Sequence, residues 1–302
     1  MAEFRQEIFS GAGVLRVDVI ENEPGREQIL DEMTFLNYRL AEVQFRSKIK
    51  KARPDVIWNR EKDTKAIRYD DGQLFLDGEW EQGELNKIMV AMLAYQMDAV
   101  GLHPWHSSAV RFKDRTILFL GGENNHGKSM GQIEGCRRGG QVVSTETTVT
   151  DDDGIVVAGS KSVYIRVRAK GTERADLPSQ DEGVAKFFEK EPEFINYNEP
   201  KPVDLVIMPG MDGHFDTKVV KMGDFEKEYQ SYHSVMNYFG LNQLLSPGGL
   251  VMPVVDTDEK RAARGDFIHR FVQGKPYYMV RAATPRLMWD EVEKILAKEN
   301  LA

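Results

Sequence analysis

Within the stretch GGENNHGKSM, residues Gly122, Gly127, Lys128 and Ser129 fall into the spacing G-x-x-x-x-G-K-[ST]. Each type at that spacing has a chemical reason. Successive backbone N–H groups wrap the phosphates of a nucleotide, the lysine reaches the β and γ oxygens, and the hydroxyl takes one position on Mg²⁺. Asn124, Asn125, His126 and Met130 complete the segment that would face such a ligand. Asn125 stands where many such loops carry glycine, and asparagine is the non-glycine residue that best tolerates a left-handed backbone. His126 either touches the nucleotide or points to solvent. ATP and Mg²⁺ are therefore the expected cofactors.

A phosphate loop functions only where a buried strand delivers it and a helix leaves from it. The run TILFL supplies the strand, paired by the turn at Lys113 and Asp114 with SSAVRF. Ser129 to Arg138 supplies the helix, with Gly139 and Gly140 where a C-terminal cap belongs. Gly131 and Gly135 make that helix intrinsically weak, so it must lean on packing. Further along, QVVSTETTVT and VDLVIMPG read as strands, Phe225 to Leu245 as a helix, KPYYMVRA as a strand and PRLMWDEVEKILAKENL as a closing amphipathic helix. TERADLPSQDEGVAKFFEKEPEFINYNEPKP is polar and proline-punctuated, a loop with one short helix.

Upstream, apolar residues at Met33, Leu36, Leu40 and Val43 predict a helix over ILDEMTFLNYRLAEVQFRSKIKK. Asp71-Gly72 between two alternating runs predicts a hairpin, and ELNKIMVAMLAYQMDAVG a core-facing helix. The organisation expected is an α/β N-terminal domain over 1–100 and a catalytic domain over 101–302. The 302 residues are long enough for both, and 41% hydrophobic with 29% charged residues is an ordinary globular composition.

A formal net charge of -8 argues against general affinity for nucleic acid, which needs a basic face. No apolar run approaches the roughly 20 residues of a membrane helix, and no signal-peptide pattern opens the chain, which places the protein in the cytoplasm with no membrane partner. The one cysteine, Cys136, cannot close an internal disulfide and reads as packing.

Outside the loop, His103 and His106 are three residues apart, a spacing that can serve a metal, but no third or fourth ligand is evident. Asp151, Asp152 and Asp153 read first as a solvated turn. Asp212 and His214, with Asp216, follow a strand in a Gly-rich loop, where a base or proton carrier commonly sits, although a plain polar connection spells the same way. Lys260, Arg261 and Arg264 form either an anion clamp or a helix-surface charge run.

HSSAVRFKDRTILFLGGENNHGKS followed by RRGGQVVSTE resembles the nucleotide-binding core of the HPr kinase/phosphatase family, within the phosphoenolpyruvate carboxykinase-like superfamily. His106, the hairpin, the loop, Arg138-Gly139 and the strand from Gln141 fall in that family's order. The resemblance is specific at the loop and weaker toward the end of the chain. It implies a mixed-sheet HPr-kinase-like core with a smaller α/β N-terminal region, a homo-oligomer, and two adjacent acids after the loop. At those positions this chain has Thr145 and Glu146. Glu146 fits the second acid's role, sharing Mg²⁺ with Ser129, whereas Thr145 cannot act as a carboxylate base.

The expected function is an ATP- and Mg²⁺-dependent kinase acting on a hydroxyl, more readily of a small molecule than of a protein or peptide serine. Its catalytic residues would be His106, Lys128, Glu146, Asp212 and His214. The alternative is a non-catalytic nucleotide-binding regulatory module. Carboxyl chemistry of the phosphoenolpyruvate type ranks last.

Overall fold

The computed structural model describes residues 2–11, 13–21, 29–30, 34–40, 42–46, 52–121, 126–165, 184–187, 194–211, 216–238, 245–246 and 249–301. By its internal contacts the chain forms two compact units, Met1–Pro104 with Met236–Arg264, and Trp105–Val235 with Gly265–Ala302. A single cut near residue 100 does not describe this, because a segment far along the chain returns to the first unit. Both units combine helices with mixed parallel and antiparallel sheets.

The first unit is built on strands β1 (Ala2–Ser10), β2 (Gly13–Glu21), β3 (Gln44–Arg46), β4 (Val56–Asn59), β5 (Ala66–Asp70) and β6 (Gln73–Asp77), in the order β3-β1-β2-β4-β6-β5. Strand β2 shows how sequence sets burial. Leu15, Val17 and Val19 point inward, while Arg16, Asp18 and Ile20 between them are half-buried, the period-2 alternation of a strand with one covered face. Helix α2 (Gln82–Asp98) lies against β2, with Gly13 leaving room for Met97: a Cβ there would come within 2.8 Å of its Cγ. Asp71 and Gly72 both take positive φ, as a tight hairpin turn requires, and join β5 to β6 antiparallel.

The long helix expected from residue 29 is a correction. Helix α1 covers only Thr34–Arg39, and β3 follows. Glu42 adopts φ 47°, and the Asn37 side chain accepts a 2.9 Å hydrogen bond from the Val43 N–H, so the chain turns out of the helix. Leu36, Leu40 and Val43 are nonetheless all buried. The apolar spacing marked the right side chains, but not the backbone that buries them.

The second unit carries a nine-stranded sheet. Its strands are β7 (Leu102–Phe112), β8 (Arg115–Leu120), β9 (Gln141–Ser144), β10 (Thr147–Asp151), β11 (Ile155–Gly159), β14 (Lys201–Pro202), β15 (Leu205–Met211), β16 (Lys218–Lys221) and β17 (Tyr277–Ala282). They run β14-β11-β10-β7-β8-β15-β17-β16, with β9 paired to β7. A separate ribbon joins β12 (Ser162–Ile165) to β13 (Val184–Phe187). Where QVVSTETTVT suggested one strand, Thr145 and Glu146 interrupt it. Helix α4 is Asp224–Met236, shorter than expected among the described residues; α5 is Asp258–Val272, and α6 is Pro285–Lys298 with Thr284 as its N-cap. Among the described residues no helix is long and apolar enough to cross a membrane.

Helix α3 (Lys128–Arg137) is the weak helix of the sequence reading, and its glycines explain how it is held. A Cβ on Gly131 would come within 2.9 Å of Met288 and 3.0 Å of Phe119, and one on Gly135 would overlap the Trp289 ring. The glycines let α3 settle onto α6 and β8, and the Trp289 indole N–H donates to the Gly131 carbonyl. Arg138 closes the same contact, donating to Glu134 at 3.1 Å, Asp290 at 2.8 Å and Glu293 at 2.7 Å. The tight packing supplies what helix propensity does not.

Candidate functional site

Strands β8, β15 and β17 are parallel neighbours, so their C-terminal ends lie on one side of the sheet. In α/β folds that edge is where loops bind ligands. The Gly-rich segment of the sequence follows β8 in the chain. Gly127 takes φ 102° as the N-cap of α3, a left-handed conformation that favours glycine. Met211, at the end of β15, packs so closely on Gly127 that any Cβ there would overlap its methyl group. Lys128 is buried at 8% exposure, and its Nζ donates a 3.0 Å hydrogen bond to the Gly121 carbonyl. Ser129 is half-buried on the first turn of α3, while His126 and Met130 are exposed. Gly122, Asn124 and Asn125 lie outside the described residues, as do Asp212 and His214.

The strand register brings His106 and Glu146 to this place. Ser107 of β7 pairs with Leu120 of β8, so the next position along each strand sets His106 beside Gly121. On the other side of β7, the Ser107 N–H donates to the Glu146 carbonyl at 3.2 Å. His106 Nε2 lies 3.1 Å from Glu146 Oε1, and both side chains are buried. The Ser234 hydroxyl donates to the His106 carbonyl at 3.1 Å and ties α4 to the same strand.

Thr145 has a different part. Its hydroxyl lies 3.0 Å from the Ser160 carbonyl and 2.5 Å from that of Ser162, and the residue is 2% exposed. It braces the backbone of the following strands. Around it runs a buried hydroxyl network that sequence reasoning missed: Ser107 donates to Thr148 at 2.7 Å, Ser144 meets Thr148 at 2.5 Å, and the Trp105 indole donates to Thr150 at 2.9 Å. The available signal was the density of Ser and Thr in VSTETTVT, because hydroxyls in a buried strand need partners. Trp105 itself packs on Phe267 and Phe271.

Other candidates are placed elsewhere. His103 is buried 3.6 Å from Asp98 Oδ1. Asp151 caps a turn, accepting from the Asp153 N–H at 3.0 Å and the Ile155 N–H at 2.9 Å. Arg264 is 1% exposed, paired with Asp256 and 4.0 Å from Asp98, while Arg261 pairs with Asp256 and Asp258. Lys260 lies 3.5 Å from the centre of the Tyr95 ring, where burial lowers its pKa. The cluster is thus neither an anion clamp nor a plain surface run; it is an ion-paired anchor within the first unit. Among the described residues no group of three or more His, Cys, Asp or Glu is arranged to hold a metal ion.

No protein-family model matches the chain, and no curated protein matches it in sequence.

Proposed function

We propose that the protein is an ATP- and Mg²⁺-dependent phosphotransferase with an HPr-kinase-like nucleotide core, acting on a hydroxyl group, with a small molecule preferred as acceptor. The observation that carries this reading is the convergence of the loop base at Gly121, His106 and Glu146 across neighbouring strands, next to Gly127 and Lys128. Order along the chain made these residues candidates, and two contacts support the reading, His106 with Glu146 and Lys128 with Gly121.

In this reading the loop amides and Lys128 hold the phosphates, with the lysine exchanging the Gly121 carbonyl for phosphate oxygens. Ser129 and Glu146 would hold Mg²⁺, which supplies charge neutralisation on the transferred group. The donor set fits that ion. Mg²⁺ prefers hard oxygens and takes much of its shell from water and phosphate, so one hydroxyl and one carboxylate suffice without a cage of acids. His106 holds one oxygen of the Glu146 carboxylate and so fixes its rotation. Phosphoryl transfer draws chiefly on positioning and electrostatics, which allows for the missing acid at Thr145.

The second reading, a nucleotide-binding module without turnover, is favoured by that same residue, since Thr145 is committed to bracing backbone carbonyls. Calorimetric titration with ATP, ADP and GTP, with and without Mg²⁺, followed by product analysis against hydroxyl acceptors, separates the two. Mg²⁺-dependent binding with γ-phosphate transfer supports the kinase. Binding without transfer to any acceptor, peptide serine included, supports the module, and no binding removes both.

A further inference from the structure

Glu146 sits in a two-residue break between β9 and β10, with its carbonyl accepting from the Ser107 N–H of β7. A carboxylate meant to meet an ion at a set place needs the rest of its backbone held as well, and the N–H groups of Thr145, Glu146 and Thr147 all donate to one residue, Ser160. The Ser160 Oγ accepts from the Glu146 N–H at 3.0 Å and from the Thr147 N–H at 3.0 Å. The Ser160 carbonyl accepts from the Thr145 N–H at 2.9 Å, and the Ser160 N–H donates to the Thr147 carbonyl at 3.0 Å. The two residues of the break and Thr147 after it are thereby all tied to Ser160. Ser160 is fully buried, and so are Thr145 and Thr147. The geometry has a further feature. Two successive N–H groups converge on one hydroxyl oxygen, so the hydroxyl hydrogen is left to a third partner, and Thr145 Oγ1 lies 3.1 Å away.

We propose that Ser160 is the positioning residue for Glu146: its hydroxyl orients the 146–147 peptide so that the carboxylate meets both His106 and the Mg²⁺ of a bound nucleotide. This rests on the phosphotransferase reading above. Removing the hydroxyl leaves two buried N–H groups without their acceptor, and the segment must turn to find others, carrying Glu146 with it. Ser160 touches neither nucleotide nor acceptor in this account. It acts only through Glu146.

The test is Ser160→Ala, with Thr148→Ala as a matched control that removes hydroxyl contacts to Ser107 and Ser144 but none to the 146 backbone. ATP affinity is measured by calorimetry with and without Mg²⁺, alongside thermal melting. Ser160→Ala should keep Mg²⁺-free ATP affinity within about twofold of wild type while losing most of the affinity that Mg²⁺ adds, a drop of about tenfold, equivalent to about 1.4 kcal/mol. Thr148→Ala should lower the melting temperature and keep the Mg²⁺ increment. Equal loss in both variants, or no loss in Ser160→Ala, overturns the assignment. Should Ser160→Ala not fold, Ser160→Cys, with a similar volume and a poor acceptor, reads the same split. If wild type binds no nucleotide, the phosphotransferase reading falls by itself. Ser160 is then judged by amide exchange, where unchanged protection of Glu146 and Thr147 in the variant overturns it.

Discussion

Arg264 in the first unit and Lys128 in the second are both long cations closed off from water, at 1% and 8% exposure. Arg264 lies among carboxylates, paired with Asp256 and 4.0 Å from Asp98. Lys128 donates to a neutral carbonyl at the base of a loop. Burying a charge is costly in either place, but the two solutions differ in what can replace the partner. A guanidinium held by two acids has no reason to leave them, and it fastens the 256–264 segment to α2. An ammonium on a carbonyl gains by exchanging it for a phosphate oxygen, because a charged acceptor bonds more strongly. In the proposed function, the hydrogen bond from Lys128 to the Gly121 carbonyl is thus the one that a phosphate oxygen would replace.

The largest expected effect lies on the structural side. Arg264→Ala should destabilise the protein by about 3–5 kcal/mol, since it strands buried carboxylates; chemical denaturation measures this, and a loss under about 1 kcal/mol would erase the contrast. Lys128→Ala should do the reverse. Nucleotide affinity should fall about 100-fold, or about 2.7 kcal/mol, with the melting temperature nearly unchanged, and retained affinity in a folded variant would remove Lys128 from the site. Next comes the helix that carries the loop. Gly135→Ala, forcing a methyl group onto the Trp289 ring, should cost about 1–3 kcal/mol and weaken nucleotide binding with it, whereas stability lost with binding intact would uncouple the α3–α6 packing from the loop.

The smallest effect concerns pH and the start of α2. Burial raises the Glu84 pKa, but hydrogen bonds from Lys65 and from the Glu81 N–H outweigh it and leave the carboxyl below its usual 4.5. A depressed carboxylate stabilises the fold above the ordinary glutamate range and loses that contribution as pH falls through its folded value. Glu84→Ala should therefore lower stability by about 1 kcal/mol at neutral pH, and the gap to wild type should close on acidification. Melting curves across that range would show it, and a gap independent of pH would mean that the side chain acts by packing instead.

Much of this was legible in the residues themselves. Asp71-Gly72 dictated a turn, since asparagine, aspartate and glycine are the types that accept positive φ there. TILFL, Gly127 and the helix beyond it followed from local rules, and the α3 glycines announced their dependence on packing. The stretch from residue 29 failed for a local reason that periodicity does not see, a left-handed Glu42 held by the Asn37 side chain. Lys260, Arg261 and Arg264 were visible as a cluster, but Asp98, beside Arg264, is distant in the chain.

By itself the sequence determined the strand that ends at Leu120 and the helix that starts at Lys128, because these depend on neighbours within a few residues. It left undecided what Thr145 does, where His106 sits and what holds Glu146. Those depend on strand register, on Ser107 facing Leu120 and on Ser160 folding back over the break. Pairing partners separated by many residues are chosen by the burial of whole faces at once, and only the tertiary structure makes that choice.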